Sequence, residues 1–206
     1  MDMKYELTDL KMTMVDGTVL HRIRAVKDFT LSDGTDVKIG DIGGWIENED
    51  NLSHHGKAWV FGEAMVYGFA LVSGDAMVYD HARVYDNAEV FGESAVYDNA
   101  EVYEGAKVFG KAMISGNALV AGSSKVYEGA KVFGKTMISG NALVAGSSKV
   151  YGNAEVCGNA KVRGRAWIYE DARVSDNAFV TETVKVYGSA NICGNSCICG
   201  DYDVWK

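Results

Sequence analysis

Few side chains in this sequence could do chemistry, and they are scattered. Histidine is the usual general base near neutral pH. The regular C-terminal part of the chain holds one, His81, in the turn-like run Tyr79-Asp80-His81-Ala82. A second candidate is the pair His54-His55. Both read more simply as polar turn residues. All four cysteines, Cys157, Cys193, Cys197 and Cys199, lie in the last third. The run Cys193-Gly194-Asn195-Ser196-Cys197-Ile198-Cys199 invites a metal reading. Zinc wants four convergent ligands. On a strand, Cys197 and Cys199 would share one side, while Cys193 would lie across a corner, and no histidine is near. Free thiols and no metal are expected. The glycine-rich run Gly40-Asp41-Ile42-Gly43-Gly44 follows neither phosphate-loop pattern and reads as a tight turn. A different signal is aromatic: Tyr151, Tyr169, Tyr187 and Trp205 follow one another at a single constant step.

The element that must position these residues is a repeat of six. From Val60 to Val204, all 25 positions reached in steps of six are Val or Ile. Counting that residue as position 1, position 5 is nearly always small, as in Ala64, Ala70, Ala76, Ala82 and Ala88. Positions 3 and 4 hold Gly, Asp, Asn or Glu. Side chains alternate along a strand. A strand over positions 5, 6, 1 and 2 therefore buries 5 and 1 and turns 6 and 2 outward. Positions 3 and 4 form a corner, where Gly, Asn and Asp tolerate positive φ. One hexad leaves its inner face uncovered, so the units must stack. Each buried Val or Ile then stabilises by about 1.5–3 kcal/mol.

The outward position 2 sets the coil length. Its aromatics align at every third hexad, which predicts three hexads per coil and a triangular prism of roughly eight coils. At about 4.8 Å per coil the rod is about 40 Å long. The column runs Phe61, Tyr79, Tyr97, Ser115, Phe133, Tyr151, Tyr169, Tyr187, Trp205, broken only at Ser115. Trp59, Met77, Met113 and Trp167 join it from position 6, giving a long apolar strip. The predicted binding face comprises Trp59, Phe61, Tyr79, Tyr97, Phe133, Tyr151, Trp167, Tyr169, Tyr187 and Trp205. Three roles are open to it: stabilising the sheet, self-association, or stacking on a base or a sugar. Residues 103–126 recur as 127–150 with one change, Ala112 against Thr136. Four hexads are one coil plus one face, so this duplication rotates everything beyond it by one face.

Residues 1–57 lack the hexad and are expected to form a small N-terminal β cap, with the solenoid over 58–206. An open solenoid end exposes strand edges, so a cap is needed. At the far end the large residues Tyr202 and Trp205 are expected to plug the last coil.

The hexad resembles the left-handed parallel β-helix of hexapeptide-repeat proteins. The stretches Arg22-Ile23-Arg24-Ala25-Val26-Lys27-Asp28-Phe29, Gly43-Gly44-Trp45-Ile46 and Asn51-Leu52-Ser53 resemble a narrower group, the YdcK-like proteins. That group is common in bacteria and in phages or prophages and has no established activity. The resemblance implies the left-handed winding and suggests a homotrimer. Many proteins of this fold are acyltransferases with a catalytic histidine, a protruding loop and an acyl-CoA groove between subunits. Here no loop interrupts Val60 to Val204. An acyl-CoA enzyme would need His81, His54 or His55 to face a neighbouring subunit. Ice binding would need ranks of threonine, which the hexads lack.

Composition limits the remaining classes. With 206 residues and 48% hydrophobic content, the chain can bury one sizeable core. Proline is absent, which argues against a Pro-rich linker. A formal net charge of -8 with no basic run argues against a nucleic-acid partner. No apolar run reaches membrane-spanning length. The start, Met1-Asp2-Met3-Lys4-Tyr5-Glu6, lacks the secretory pattern, so a cytoplasmic location is expected. The expectation is a non-catalytic binding or scaffold protein without a cofactor. It would self-associate through the aromatic face and take a protein or small-molecule partner. A phage-encoded accessory role against host factors, including sequestering a nucleotide-type ligand, is one form of it.

Overall fold

The computed structural model describes residues 3–206. Met1 and Asp2, which open the start read above against a secretory signal, lie outside the described residues. The described chain is all-β apart from one 3-10 turn, Glu49–Asn51. It begins with an antiparallel hairpin of β1 (Tyr5–Thr13) and β2 (Val19–Ala25). A short ribbon, β3 (Phe29–Thr30) with β4 (Asp36–Val37), follows, then β5 (Ile42–Ile46). From there 25 short strands run from Trp59–Val60 to Asp203–Trp205. Each pairs in parallel with the equivalent strand of the neighbouring coil, as Arg83 with Glu101 and Val84 with Val102. The chain is thus a β-solenoid of about nine turns with three flat faces. Face 1 starts at Trp59–Val60, face 2 at Met65–Val66 and face 3 at Leu71–Val72. Face 1 carries nine strands and is about 38 Å long.

The inside is as the hexad predicts. Position 1 is fully buried from Val60 to Val186, and the alanines of position 5 are buried with it. All the coil strands cover only positions 6 and 1 except Lys185–Tyr187 and Asp203–Trp205, which include position 2, but the ladder reaches further. The amides at positions 6 and 2 both donate to the next coil, as Met65 N to Ala82 O (2.9 Å) and Tyr67 N to Val84 O (3.1 Å).

The corner differs from expectation in one respect. Only position 3 takes the left-handed conformation, and it does so in every hexad from Gly62 to Gly200. Eight of these residues are not glycine: Asp80, Asp86, Asp98, Glu104, Glu128, Glu170, Asp176 and Glu182, with φ of 57–61°. A left-handed L-residue costs about 1–2 kcal/mol. All of these carboxylates except Glu182 recover it by accepting the amide at position 3 of the next coil, Asp80 and Asp86 only at 3.3–3.4 Å. Gly116 N donates to Asp98 Oδ2 (2.9 Å) and Gly188 N to Glu170 Oε2 (2.8 Å). A hydrogen bond to a charged group is worth about 1.5–3 kcal/mol, enough to offset the strain. At position 4, Asn141, Asn159, Asn177 and Asn195 form an amide ladder, each Nδ2 donating to the next Oδ1 at 3.0 Å.

Coil pairing already begins at β5. Trp45 and Ile46 pair with Met65 and Val66, and Leu52 bridges Val72. Gly43 and Gly44 permit this approach. A Cβ on Gly43 would lie 2.5 Å from Ile23 Cγ1, and one on Gly44 would lie 2.5 Å from Val60 Cγ1. Buried Asn51 acts as a bracket: its Nδ2 donates to Gly68 O and Ala70 O, and its Oδ1 accepts from Glu47 N and Asn48 N. The stretches that carry the family resemblance are thus the joint between cap and first coil.

Lys4 closes that joint from inside. It is wholly buried, and its Nζ donates to Ser53 O and Ala58 O, both at 2.7 Å. Burial, reinforced by Lys27, lowers its pKa to about 8. At the other end the expected plug is absent: Tyr202 and Trp205 are 47% and 70% exposed. Neither ring is buried in the last coil, and Ile198 and Val204 are only partly covered.

Lys4→Met is expected to cost about 1–3 kcal/mol, because two buried carbonyls lose their donor. Denaturant unfolding and amide exchange over 52–58 measure this. Between pH 8 and the ordinary lysine value of 10.5, the unfolded chain holds more protons at this site than the folded one. Wild-type stability should therefore rise with pH across that window, and Lys4→Met should lose the rise. A second expectation concerns Thr136, whose buried Oγ1 has no partner. Thr136→Val keeps the volume and removes the orphan hydroxyl, so it should stabilise by about 1–2 kcal/mol in the same unfolding assay.

Candidate binding face and its aromatic columns

Face 1 gathers most of the aromatic residues singled out by spacing. Tyr79 and Tyr97 stack with centroids 4.9 Å apart and planes within 2°. Phe133, Tyr151, Tyr169 and Tyr187 form a second stack at 4.9–5.0 Å. Tyr187 pairs in register with Trp205. Between the stacks lies Ser115. Burial in the column raises the Tyr79 pKa to about 12, so its hydroxyl stays neutral. The rings stack because the ladder holds successive side chains of the column one strand spacing apart.

Trp59 stands on face 1 but is not open to a partner. It is 1% exposed and sits under the cap, edge-on to Tyr5, Phe29 and Phe61. It belongs to the core of the joint, because the chain of the cap folds across the first coil. Phe61 is half-buried beside it. The apolar strip expected from position 6 is also interrupted. Met77, Ala95 and Met113 give way to Lys131 and Lys149, and Lys185 and Asp203 follow Trp167. Trp167 is half-buried, edge-on to Tyr151 at 6.3 Å, with Lys149 Nζ 4.3 Å from its ring.

Two further columns stand on the other faces. Tyr67, Tyr85 and Tyr103 stack at 5.1 Å on face 2. Phe91, Phe109 and Tyr127 stack at 4.8–4.9 Å on face 3. Sequence reading from Tyr151 missed both. The same step of one coil, started at Tyr67 or Phe91, finds them. Stacks on all three faces show that ring ladders help to hold the sheets, each pair by about 0.5–1.5 kcal/mol. What separates face 1 is its break. The other columns stop: Ala121 follows Tyr103, and on face 3 Ala145 follows Tyr127 before Arg163 reaches back to the Tyr127 hydroxyl at 2.7 Å. Among the described residues, Ser115 is the one non-aromatic side chain at position 2 with a ring on both sides.

The candidate chemistry residues do not converge. His81 is exposed at a corner, its backbone amide donating to Asp98 O (2.9 Å). Sequence makes His54 a plain turn residue, whereas the fold gives it a structural role. Its ring stacks on Tyr5 at 4.3 Å, and Nδ1 accepts from Lys4 N at 3.2 Å. Burial lowers its pKa, which keeps the ring neutral. His55 is exposed. Cys193 lies on face 2, Cys197 and Cys199 on face 3, all exposed thiols. Cys157 Sγ sits 3.4 Å from Arg173 Nη2, and burial raises its pKa, so it is a poor nucleophile. Around the joint, Arg22 lies over the Trp45 ring at 4.3 Å and pairs with Glu63, which also accepts from Trp45 Nε1 at 3.0 Å. This sequence motif is a structural clamp. No family model matches the chain, and no curated protein matches it.

Proposed function

We propose that this chain is a non-catalytic binding and scaffold protein that self-associates, as a homotrimer, through the C-terminal half of face 1. The observation that carries the reading is the Tyr151–Tyr169–Tyr187 stack, running in register to Trp205. These rings are already ordered by their neighbours. Burying them against a second copy therefore costs little further side-chain entropy, which is what usually limits association. The histidines support a non-catalytic role: His54 is tied to Tyr5 and Lys4, and His81 stands alone at a corner. The stretches at the cap joint favour a YdcK-like, phage- or prophage-type protein wound in the left-handed sense. Such a protein would act in the cytoplasm as an accessory against host factors. Among the described residues no helix is long and apolar enough to cross a membrane. An acyl-CoA transferase is the alternative. Acyl-CoA turnover that disappeared in His81→Ala would replace the binding reading.

Native mass spectrometry should show three copies of the 22.3 kDa chain. Tyr169→Glu with Tyr187→Glu should shift the mass to the monomer while leaving the circular dichroism spectrum unchanged. A wild-type monomer at tens of micromolar would remove self-association from the proposal.

A further inference from the structure

The break at Ser115 has the dimensions of one ring. Tyr97 and Phe133 belong to the coils on either side of it, through the pairings of Ala95 with Met113 and Met113 with Lys131. They are two strand spacings, or about 9.6 Å, apart. One more ring fits between them at the 4.9 Å repeat seen on both sides. The opening is a notch of about 370 Å³ lined by Tyr97, Met113, Ser115, Lys131, Phe133 and Lys149. Small-molecule sites start at about 300 Å³. Phe133 is 36% exposed, whereas Tyr97, Tyr151, Tyr169 and Tyr187 are half-buried. One of its π-faces looks into the notch, since its other neighbour is Tyr151.

The notch also carries charge. Lys131 and Lys149 are direct ladder neighbours, two ammonium groups on adjacent rungs. Among the described residues neither pairs with a carboxylate; Lys149 Nζ lies 4.3 Å from the Trp167 ring, and Lys131 is exposed. The acids at the flanking corners are occupied: Asp98 accepts from Gly116 N (2.9 Å) and Glu128 from Gly146 N (2.6 Å). With Lys149 held at the Trp167 ring, Lys131 is the ammonium that an anion in the notch meets first.

The duplication built this notch. Without residues 127–150, Cys157 would follow Ser115 on face 1, and Tyr151 would follow Phe109 on face 3. There the column Phe91, Phe109, Tyr151, Tyr169, Tyr187, Trp205 would be continuous. The four extra hexads bring a ring, and Lys131, to the far side of Ser115.

We propose that the notch binds a small planar aromatic anion. Its ring lies between Tyr97 and Phe133, and its negative group lies against Lys131, with Lys149 at the edge of the notch. The Ser115 hydroxyl at the floor can hydrogen-bond a ring heteroatom. A nucleoside phosphate and a simple aromatic acid share this chemistry. This inference rests on the reading of the chain as a binding protein and not on its self-association.

The test is calorimetric titration of the full chain with AMP, 4-hydroxyphenylacetate, adenosine and ribose 5-phosphate, with aromatic 13C NMR to follow Tyr97 and Phe133. One of the two aromatic anions should bind and shift both rings. Adenosine and ribose 5-phosphate should bind at least about tenfold more weakly, each lacking half of the recognition. AMP as the tighter ligand assigns the nucleotide source, and 4-hydroxyphenylacetate assigns the aromatic acid. Ser115→Tyr completes the column, so it should melt no lower than wild type and lose binding at least about tenfold. Lys131→Gln should weaken the anion and leave adenosine unchanged. No binding of either anion at millimolar concentration, or unchanged binding by Ser115→Tyr, overturns the proposal. Native mass on the same samples separates the two ideas. A monomer that binds overturns the trimer alone, and a trimer that does not bind overturns the notch alone.

Discussion

Everything outside the prism depends on the hydrogen bonds between coils. The amides at positions 6 and 2 each donate to a carbonyl of the next coil, as Glu101 N to Ala118 O (2.9 Å) and Tyr103 N to Val120 O (3.0 Å). This bond fixes the coil length at three hexads and sets every side chain directly over its equivalent one turn away. Aromatic rings then meet ring to ring, Asn195 ends a ladder of asparagines, and lysines meet whatever the same position holds above and below. Surface chemistry on this protein is therefore a matter of columns. A residue acts through its equivalents in the coils on either side, and hardly at all through its neighbours in sequence.

The ladder also explains why a break in a column stays open. In most proteins a missing side chain is filled by movement of those around it, at a cost that depends on how far the site can collapse. Here Tyr97 and Phe133 each lean on a ring of their own, Tyr79 and Tyr151. Turning either ring into the notch would break a stacked pair worth about 0.5–1.5 kcal/mol. The opening is pre-organised for a flat guest, and binding needs little reordering of the protein. The duplication that produced it inserted a whole number of hexads, so the Val/Ile rank at position 1 continued unbroken while the surface pattern was rewritten.

The prism was legible because its signal is one residue type at one spacing. The 25 Val or Ile positions and the small position 5 leave one consistent inside, and the structure has it. The outside was harder to read. Spacing placed Tyr97, Ser115 and Phe133 in one column, but following a single column hid the stacks on the other two faces. Trp59 carries the same spacing as Met77, yet the cap covers it, and no periodicity announces what folds over the first coil. His54 and Lys4 were likewise opaque. Their roles come from contacts between the two ends of the irregular segment, where no repeat supplies a register. The glutamates at left-handed corners run against residue preference. They make sense only once the next coil offers its amide.

The measurement that bears most directly on this account is the pattern of ring-to-ring nuclear Overhauser effects in solution. Contacts between Tyr79 and Tyr97 and between Phe133 and Tyr151, with none between Tyr97 and Phe133, are the expected result. They would show two rigid stacks held open across Ser115 by the inter-coil ladder. Contacts between Tyr97 and Phe133 would mean that the rings collapse into the break. The columns would then be soft surface packing, and the notch would not exist as a site.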